Sequence, residues 1–148
     1  VYMNFDLNTN RESRTKVHNM FHGKNYVLET SSKSFRDYLY DLRSSKYVLS
    51  PPGRGIDCHR VWESILMGAI PIVEHSHNMS FYEGMPIVTV DDWEVVTKEW
   101  LEENYRSFLL SDYEDVLQMD YWIDKLDLLD VPRPLPAGVQ IPPGCTVE

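Results

Sequence analysis

A glycine-rich turn followed by a charged helix contains the residues best suited to bind an anionic ligand. Gly53, Arg54 and Gly55 form the turn, and Arg60 and Glu63 follow on the predicted helix. Unpaired N–H groups and the helix dipole favour an anion such as phosphate at a helix N-terminus. Glycine lets a ligand approach the backbone closely, arginine neutralises phosphate oxygens, and a glutamate further along the helix can accept hydrogen bonds from sugar hydroxyls. This order of groups indicates a nucleotide-sugar site.

An ordinary crossover helix explains the same residues equally well. Arg60 and Glu63 lie one helical turn apart, so they can form a solvated ion pair that binds no ligand. The turn is also neither a Walker loop nor a G-x-G-x-x-G loop. The pattern by itself leaves both interpretations open.

The helix that carries these residues is predicted to lie between Asp57 and Gly68. Asp57 is a suitable N-cap because its carboxylate can accept from the free N–H groups of the first turn. Gly68 suits the position just past a helix end, where φ is often positive. At about 100° per residue, the polar residues His59, Arg60 and Glu63 share one face. The other face is predicted to pack on a sheet, and it consists of Cys58, Val61, Trp62, Ile65, Leu66 and Ala69.

Predicted strands and helices alternate along the chain. The strands cover residues 1–5, 26–29, 46–49, 69–73 and 85–90, and the further helices cover 11–21, 34–44, 97–110 and 112–129. This alternation predicts an α/β fold, a Rossmann-like lobe with about five or six mainly parallel strands flanked by helices. Asn10 is the expected N-cap of the first helix, and Asp91 or Asp92 caps the helix that Trp93 begins. The inward side chains of the second helix are predicted to be Phe35, Tyr38, Leu39 and Leu42.

Further candidate residues follow two other predicted strands. In open α/β sheets, ligands bind beyond the carboxyl ends of the strands. Thr9 and Arg14 come after the first strand, and Glu74 and His75 come after the fourth. A capped surface helix with solvated arginines is the alternative for the first pair. His75 and His77 do not predict a metal site, because two histidines at this spacing lack a firm third ligand.

The segment 46–73, with 85–93 after it, resembles the donor-binding half of exostosin-like glycosyltransferases (family 47-type) of the GT-B fold. The similar features are a strand followed by S-P-x-G-x-G, a helix with R-x-x-E, and then G-x-x-P-I-V. The resemblance covers roughly residues 1–125, and it implies that Glu63 binds the ribose of the nucleotide. Retaining GT-B enzymes often have a second glutamate where this chain has Gly55, so the resemblance favours inversion. The predicted donor-binding set is Thr9, Arg14, Ser50, Gly53, Arg54, Gly55, His59, Arg60, Glu63, Glu74 and His75.

The resemblance implies transfer of a sugar from a nucleotide diphosphate sugar to an acceptor hydroxyl. The glycan or other acceptor, and the general base, are then expected on a separate N-terminal lobe, so the catalytic residues stay unassigned and the isolated fragment is expected to be inactive. No cofactor or metal is expected, since Asp91-Asp92-Trp93 is not the D-x-D metal motif of the GT-A class. The alternative is a non-catalytic nucleotide-sugar or phosphate-binding module, or a degenerate structural lobe.

Length and charge set the remaining bounds. The 148 residues are predicted to form one nucleotide-sugar-binding lobe over 1–130 and a proline-rich linker or disordered tail over 131–148. A net charge of −9 argues against nucleic acid as a partner. No segment reaches the ~18 apolar residues of a membrane span, so this segment is not expected to contact a membrane. Because the sequence opens at Val1, we expect a fragment. Its compartment stays open: a Golgi or other secretory lumen for a eukaryotic parent, the cytoplasm for a bacterial or viral one.

Overall fold

A five-stranded parallel sheet forms the centre of the protein. The computed structural model describes residues 1–76, 82 and 84–109. The strands lie side by side in the order β2-β1-β3-β4-β5, and every neighbouring pair is parallel. Their bounds are β1 Tyr2–Met3, β2 Leu28–Glu29, β3 Tyr47–Leu49, β4 Ile70–Glu74 and β5 Val88–Val90. The prediction of an α/β, Rossmann-like arrangement is confirmed.

Helices cover both faces of this sheet. Their bounds are α1 Arg11–Phe21, α2 Phe35–Arg43, α3 His59–Leu66 and α4 Lys98–Leu109, with short 3-10 helices over Leu7–Thr9 and Trp93–Val95. The longest has 12 residues, and none of the described helices is long and apolar enough to cross a membrane. The predicted helix over 112–129, the tail over 131–148 and His77 lie outside the described residues.

The sheet separates two layers of hydrophobic core, and alternating side chains of its strands belong to one layer or the other. Met3, Leu49 and Ile72 pack with α1 and α4 on one face, where the rings of Phe21 and Trp93 meet edge to face at 6.2 Å. On the other face, Tyr2 and Val48 pack with Leu42 of α2, and Val73 packs with Val61 and Ile65 of α3. Successive side chains of a strand point to opposite faces, so one strand supplies both layers.

Some of the predicted helix caps are present in the structure and others are not. The side chain of Asn10 accepts from the Ser13 N–H at 3.4 Å and caps α1 as predicted, and Gly68 has a φ of +79° just after α3. Asp92 caps the 3-10 helix at Trp93–Val95 rather than an α-helix. The prediction that Asp57 caps α3 is wrong: Cys58 occupies the N-cap, and its side chain makes no capping hydrogen bond within the described residues. Asp57 instead accepts from the indole N–H of Trp62 at 2.9 Å.

The orientation of α3 also differs from the predicted one. Leu66 was expected to face the sheet but is 65% exposed, whereas Ser64 is fully buried. Ser64 can face the sheet because its hydroxyl donates to the Arg60 carbonyl one turn back, at 2.6 Å, which leaves no unpaired polar group. Phe35 is likewise 65% exposed instead of buried, because it begins α2 and lines a cavity there.

Candidate functional site

The strand order creates a crevice between β1 and β3. From β1 the chain moves outward to β2 through α1, and from β3 it moves in the opposite direction to β4 through α3. In doubly wound sheets, ligands bind at this switch point, beyond the carboxyl ends of the strands. A cavity of about 520 Å³ lies at this position. We call it the switch-point cavity, and it is lined by Asn4, Phe5, Asp6, Thr9, Arg14, Ser32, Lys33, Phe35, Tyr38, Cys58, His59, Arg60 and Glu63.

Arg14 fastens the two loops that form the floor of this cavity. It is only 5% exposed, its Nε donates to the Pro52 carbonyl at 3.0 Å, and its Nη1 donates to the Asp6 carbonyl at 2.8 Å. Asn10 adds a bond from its amide to the Gly53 carbonyl at 3.1 Å. Burial, and then the charge of Arg60, lowers the pKa of the Arg14 guanidinium. The loops after β1 and β3 are therefore held together by a buried cation.

Gly53 packs closely against Arg14. A Cβ at residue 53 would lie 3.0 Å from Nη2 of Arg14, closer than side chains normally approach. The Gly53 N–H donates to the Gly55 carbonyl at 3.0 Å. Gly53 therefore contacts Arg14, Asn10 and residues of its own turn.

Arg60 lies beside Arg14 but has a different set of contacts. Its Nε is buried without a hydrogen-bond partner in the described part of the chain, and its Nη1 lies 4.0 Å from the Cys58 sulfur. The two guanidinium carbons lie 5.5 Å (Arg60) and 5.8 Å (Arg14) from the ring centre of Phe5. Within the described part of the chain, neither arginine forms an ion pair. Two neighbouring positive charges thus lack a carboxylate partner at the switch point.

Glu63 is held by α2 and not by Arg60. Its Oε2 accepts from the Tyr38 hydroxyl at 2.7 Å. Burial, and then this hydrogen bond, raises the pKa of Tyr38, so the phenol remains a donor. Among the described residues, Arg60 and Glu63 do not form the solvated ion pair of the alternative interpretation. The carboxylate is instead fixed in place at the wall of the cavity.

A smaller cavity lies next along the same edge of the sheet, between β3 and β4. Its volume is about 210 Å³, and Ser50, Glu74 and His75 line it together with Ser76. We call it the β3/β4 cavity. The hydroxyls of Ser50 and Ser76 are both buried without a hydrogen-bond partner among the described residues. Nδ1 of His75 lies 3.4 Å from the carboxylate of Asp91.

The predicted residues therefore fall into three groups. Five line the switch-point cavity: Thr9, Arg14, His59, Arg60 and Glu63. Three line the β3/β4 cavity: Ser50, Glu74 and His75. The last three lie in the loop between β3 and α3, where two are exposed: Gly53, Arg54 and Gly55.

Three of the cavity-lining residues that sequence reasoning missed have a clear effect on the shape of the switch-point cavity. Phe5 lies beneath both guanidinium groups, Tyr38 holds Glu63, and Lys33 lines the wall while pairing with Asp41. Phe5 was available as a signal because it is the last residue of the predicted first strand, at the end where α/β sheets bind ligands. Tyr38 and Lys33 were not, because only the strand order brings the start of α2 beside α3.

A cavity of similar volume, about 530 Å³, opens at the opposite edge of the sheet. It is lined by segments that precede the strands, among them Val1, Val27 and Lys46. The switch-point cavity is the better candidate because parallel α/β sheets bind ligands at the carboxyl ends of their strands. It also brings together the unpaired arginines.

A comparison with known families gives a match over most of the described chain. The family described as the RXYLT1 C-terminal domain matches residues 7–109, which include every loop of both cavities except the first residues after β1. The chain belongs to this family. Membership of the RXYLT1 C-terminal domain family makes this a glycosyltransferase-like domain of exostosin-like type. A search of curated proteins gave no significant match.

Proposed function

We propose that this domain binds the nucleotide diphosphate sugar that donates the sugar in a glycosyl transfer. The observation that carries the proposal is the unneutralised pair Arg14 and Arg60 at the switch point. A buried positive charge without an opposite charge beside it is costly, and a bound anion offsets that cost. Family membership supplies the reaction class, a glycosyltransferase-like activity.

The start of α3 supports a diphosphate as that anion. Among the described residues, the side chain of Cys58 makes no capping hydrogen bond to the first turn of α3, and Asp57 is turned toward Trp62. No side-chain carboxylate in the described part of the chain therefore caps the first N–H groups of α3. The helix dipole favours an anion at this end. During transfer, negative charge develops on the departing diphosphate, and fixed guanidinium and N–H groups stabilise it. We propose that these groups neutralise the diphosphate without a metal ion.

Glu63 is the residue that we propose for the ribose. The Tyr38 hydroxyl occupies Oε2, and within the described residues Oε1 makes no hydrogen bond. A carboxylate held on one side can accept from a ribose hydroxyl on the other. The position of Glu63 one turn beyond Arg60 matches the order phosphate and then ribose along a nucleotide.

The β3/β4 cavity is the proposed position of the donor sugar. Ser50 is 1% exposed and its hydroxyl has no partner, and Glu74 and His75 lie beside it. A sugar hydroxyl would satisfy the unpaired serine. The family name points to a xylosyltransferase-type enzyme, so a pentosyl donor is the first to test. We also propose inversion, since Gly55 stands where retaining GT-B enzymes often have a glutamate.

Calorimetry of the 148-residue chain with nucleotides tests the proposal. The ligands are uridine, guanosine and cytidine diphosphates, their nucleosides, and the corresponding pentosyl and hexosyl donors. We expect one diphosphate to bind and its nucleoside to bind much more weakly, with chelator changing neither affinity. The exposed Arg43 lies at the far end of α2, so Arg43→Ala is the matched control for Arg60→Ala. Absence of nucleotide diphosphate binding, or equal loss in both variants, would contradict the proposal.

A further inference from the structure

Two histidines and a glutamate meet on the side of the protein where α1 packs beside β2. His18 lies in the last turn of α1, and His22, four residues later, is the C-cap of the same helix, so both side chains lie at its C-terminal end. Their rings stack, with centres 5.1 Å apart and planes 20° apart. Glu29 of β2 lies opposite them. None of the three lines the switch-point cavity or the β3/β4 cavity.

The three side chains direct their ligand atoms at one another. Nε2 of His18 is 2.9 Å from Oε1 of Glu29, and Nδ1 of His22 is 2.7 Å from Oε2 of the same carboxylate. The three candidate ligand atoms all lie within 4.8 Å of one another. Around Zn²⁺, bonds of about 2.0–2.1 Å in a tetrahedron separate two ligand atoms by roughly 3.3 Å. The two histidine–carboxylate distances differ from this spacing by about half an ångström, and the two histidine nitrogens, which lie within 4.8 Å of each other, would close by at most about 1.5 Å to reach it.

We propose that His18, His22 and Glu29 form a binding site for Zn²⁺. Two imidazoles and one carboxylate are a ligand set that zinc uses in proteins. The side chains are 28%, 65% and 35% exposed for His18, His22 and Glu29, so a metal ion can enter from solvent and water can complete the coordination.

A metal here would join two elements that are weakly connected. β2 has only two residues, both exposed, and it is the edge strand, paired with β1 alone. Zn²⁺ bound by α1 and β2 together would stabilise the folded state, because the unfolded chain does not hold the three ligands in place. The site is thus structural, and it is separate from the metal-free diphosphate site proposed above.

Direct metal titration tests this site. The 148-residue chain, without a histidine tag, is treated with chelator, dialysed, and titrated with Zn²⁺ by calorimetry. We expect one saturable site and a rise in the melting temperature with zinc. His22→Ala should weaken zinc binding by roughly 100-fold or more, since loss of even an outer-shell partner costs about 10–100-fold. Glu29→Gln should also weaken it, whereas Glu12→Gln, an exposed control in the first turn of α1, should not.

Cobalt gives an independent readout of geometry. Co²⁺ bound by these residues should show the visible absorption of a four-coordinate site, and Zn²⁺ should displace it, because zinc binds such ligands more tightly. Circular dichroism establishes that each variant is folded. The proposal is overturned if the folded parent protein shows no saturable zinc binding, or if the double variant H18A/H22A binds zinc as the parent does. Nucleotide affinity is measured in parallel with and without zinc, so failure here is distinguishable from failure of the proposed function.

Discussion

The two ends of α1 carry polar side chains at the same helical spacing in opposite electrostatic settings. Arg14, His18 and His22 follow one another at intervals of four residues. Arg14 is buried beside a second cation, without an ion pair among the described residues. The histidines are partly exposed and share the carboxylate of Glu29. Spacing on a helix therefore does not decide which ligand a set of residues binds. The partner supplied by another element decides it: Arg60 of α3 at one end favours an anion, and Glu29 of β2 at the other favours a cation.

The largest expected effect on stability comes from removing Arg14, the buried residue at the start of α1. Arg14→Ala should lower the free energy of unfolding by roughly 2–4 kcal/mol, because two part-buried carbonyls lose a charged donor. Those carbonyls belong to Asp6 and Pro52, in the two loops that Arg14 joins. Urea denaturation monitored by circular dichroism measures the change. Arg43→Ala should stay within about 0.5 kcal/mol of the parent, and an equally small loss for Arg14→Ala would show that the two loops are held without it.

Arg60 should affect binding more than folding. Arg60→Ala should weaken binding of the nucleotide diphosphate by about 1.5–3 kcal/mol, or roughly 10- to 150-fold, because a charge-assisted hydrogen bond is lost. The nucleoside should bind Arg60→Ala and the parent about equally. Calorimetry with both ligands makes the comparison, and similar losses for the two would place Arg60 away from the phosphates.

Glu63 should report on the nucleoside half of the ligand. Glu63→Ala should weaken nucleotide affinity by roughly 1–3 kcal/mol, since a polar partner of the ribose is left unpaired. Tyr38→Phe should cause a smaller loss, because Tyr38 holds the carboxylate at 2.7 Å but is not proposed to touch the ligand. Isothermal titration with the nucleoside and its 2′-deoxy form measures both effects. Unchanged affinity in folded Glu63→Ala would exclude this residue from the site.

The smallest effect is expected at the exposed end of α1. Without zinc, His22→Ala should change the free energy of unfolding by less than about 1 kcal/mol, because surface ion pairs contribute little. The side chain of His22 is 65% exposed. Denaturation in chelator tests this, and repeating it with saturating Zn²⁺ should widen the gap between parent and variant. If the difference in unfolding free energy between parent and variant does not depend on zinc, His22 does not bind the metal, and the proposed contrast between the two ends of α1 fails.

Local sequence determined the elements of this fold. Asn10 and Gly68 mark the start of α1 and the end of α3 because capping and positive φ depend on neighbouring residues alone. The alternation of strands and helices was predictable for the same reason, and it led directly to a parallel α/β sheet. The strands were predicted longer than they are, as with β5, which begins at Val88 rather than at residue 85. Strand ends depend on pairing with neighbours, which local sequence does not specify.

The tertiary structure alone decided which side chains of the site become partners of one another. The strand order brings Tyr38 of α2 to Glu63 of α3 and Arg14 to the Pro52 carbonyl, across 25 and 38 residues of chain. It turns Asp57 from the expected cap into a partner of Trp62, and it brings Glu29 to the two histidines of α1. Residue type and helical spacing are properties of one element. Charge compensation is a property of two, so which cations stay unpaired became known only once the elements were packed together.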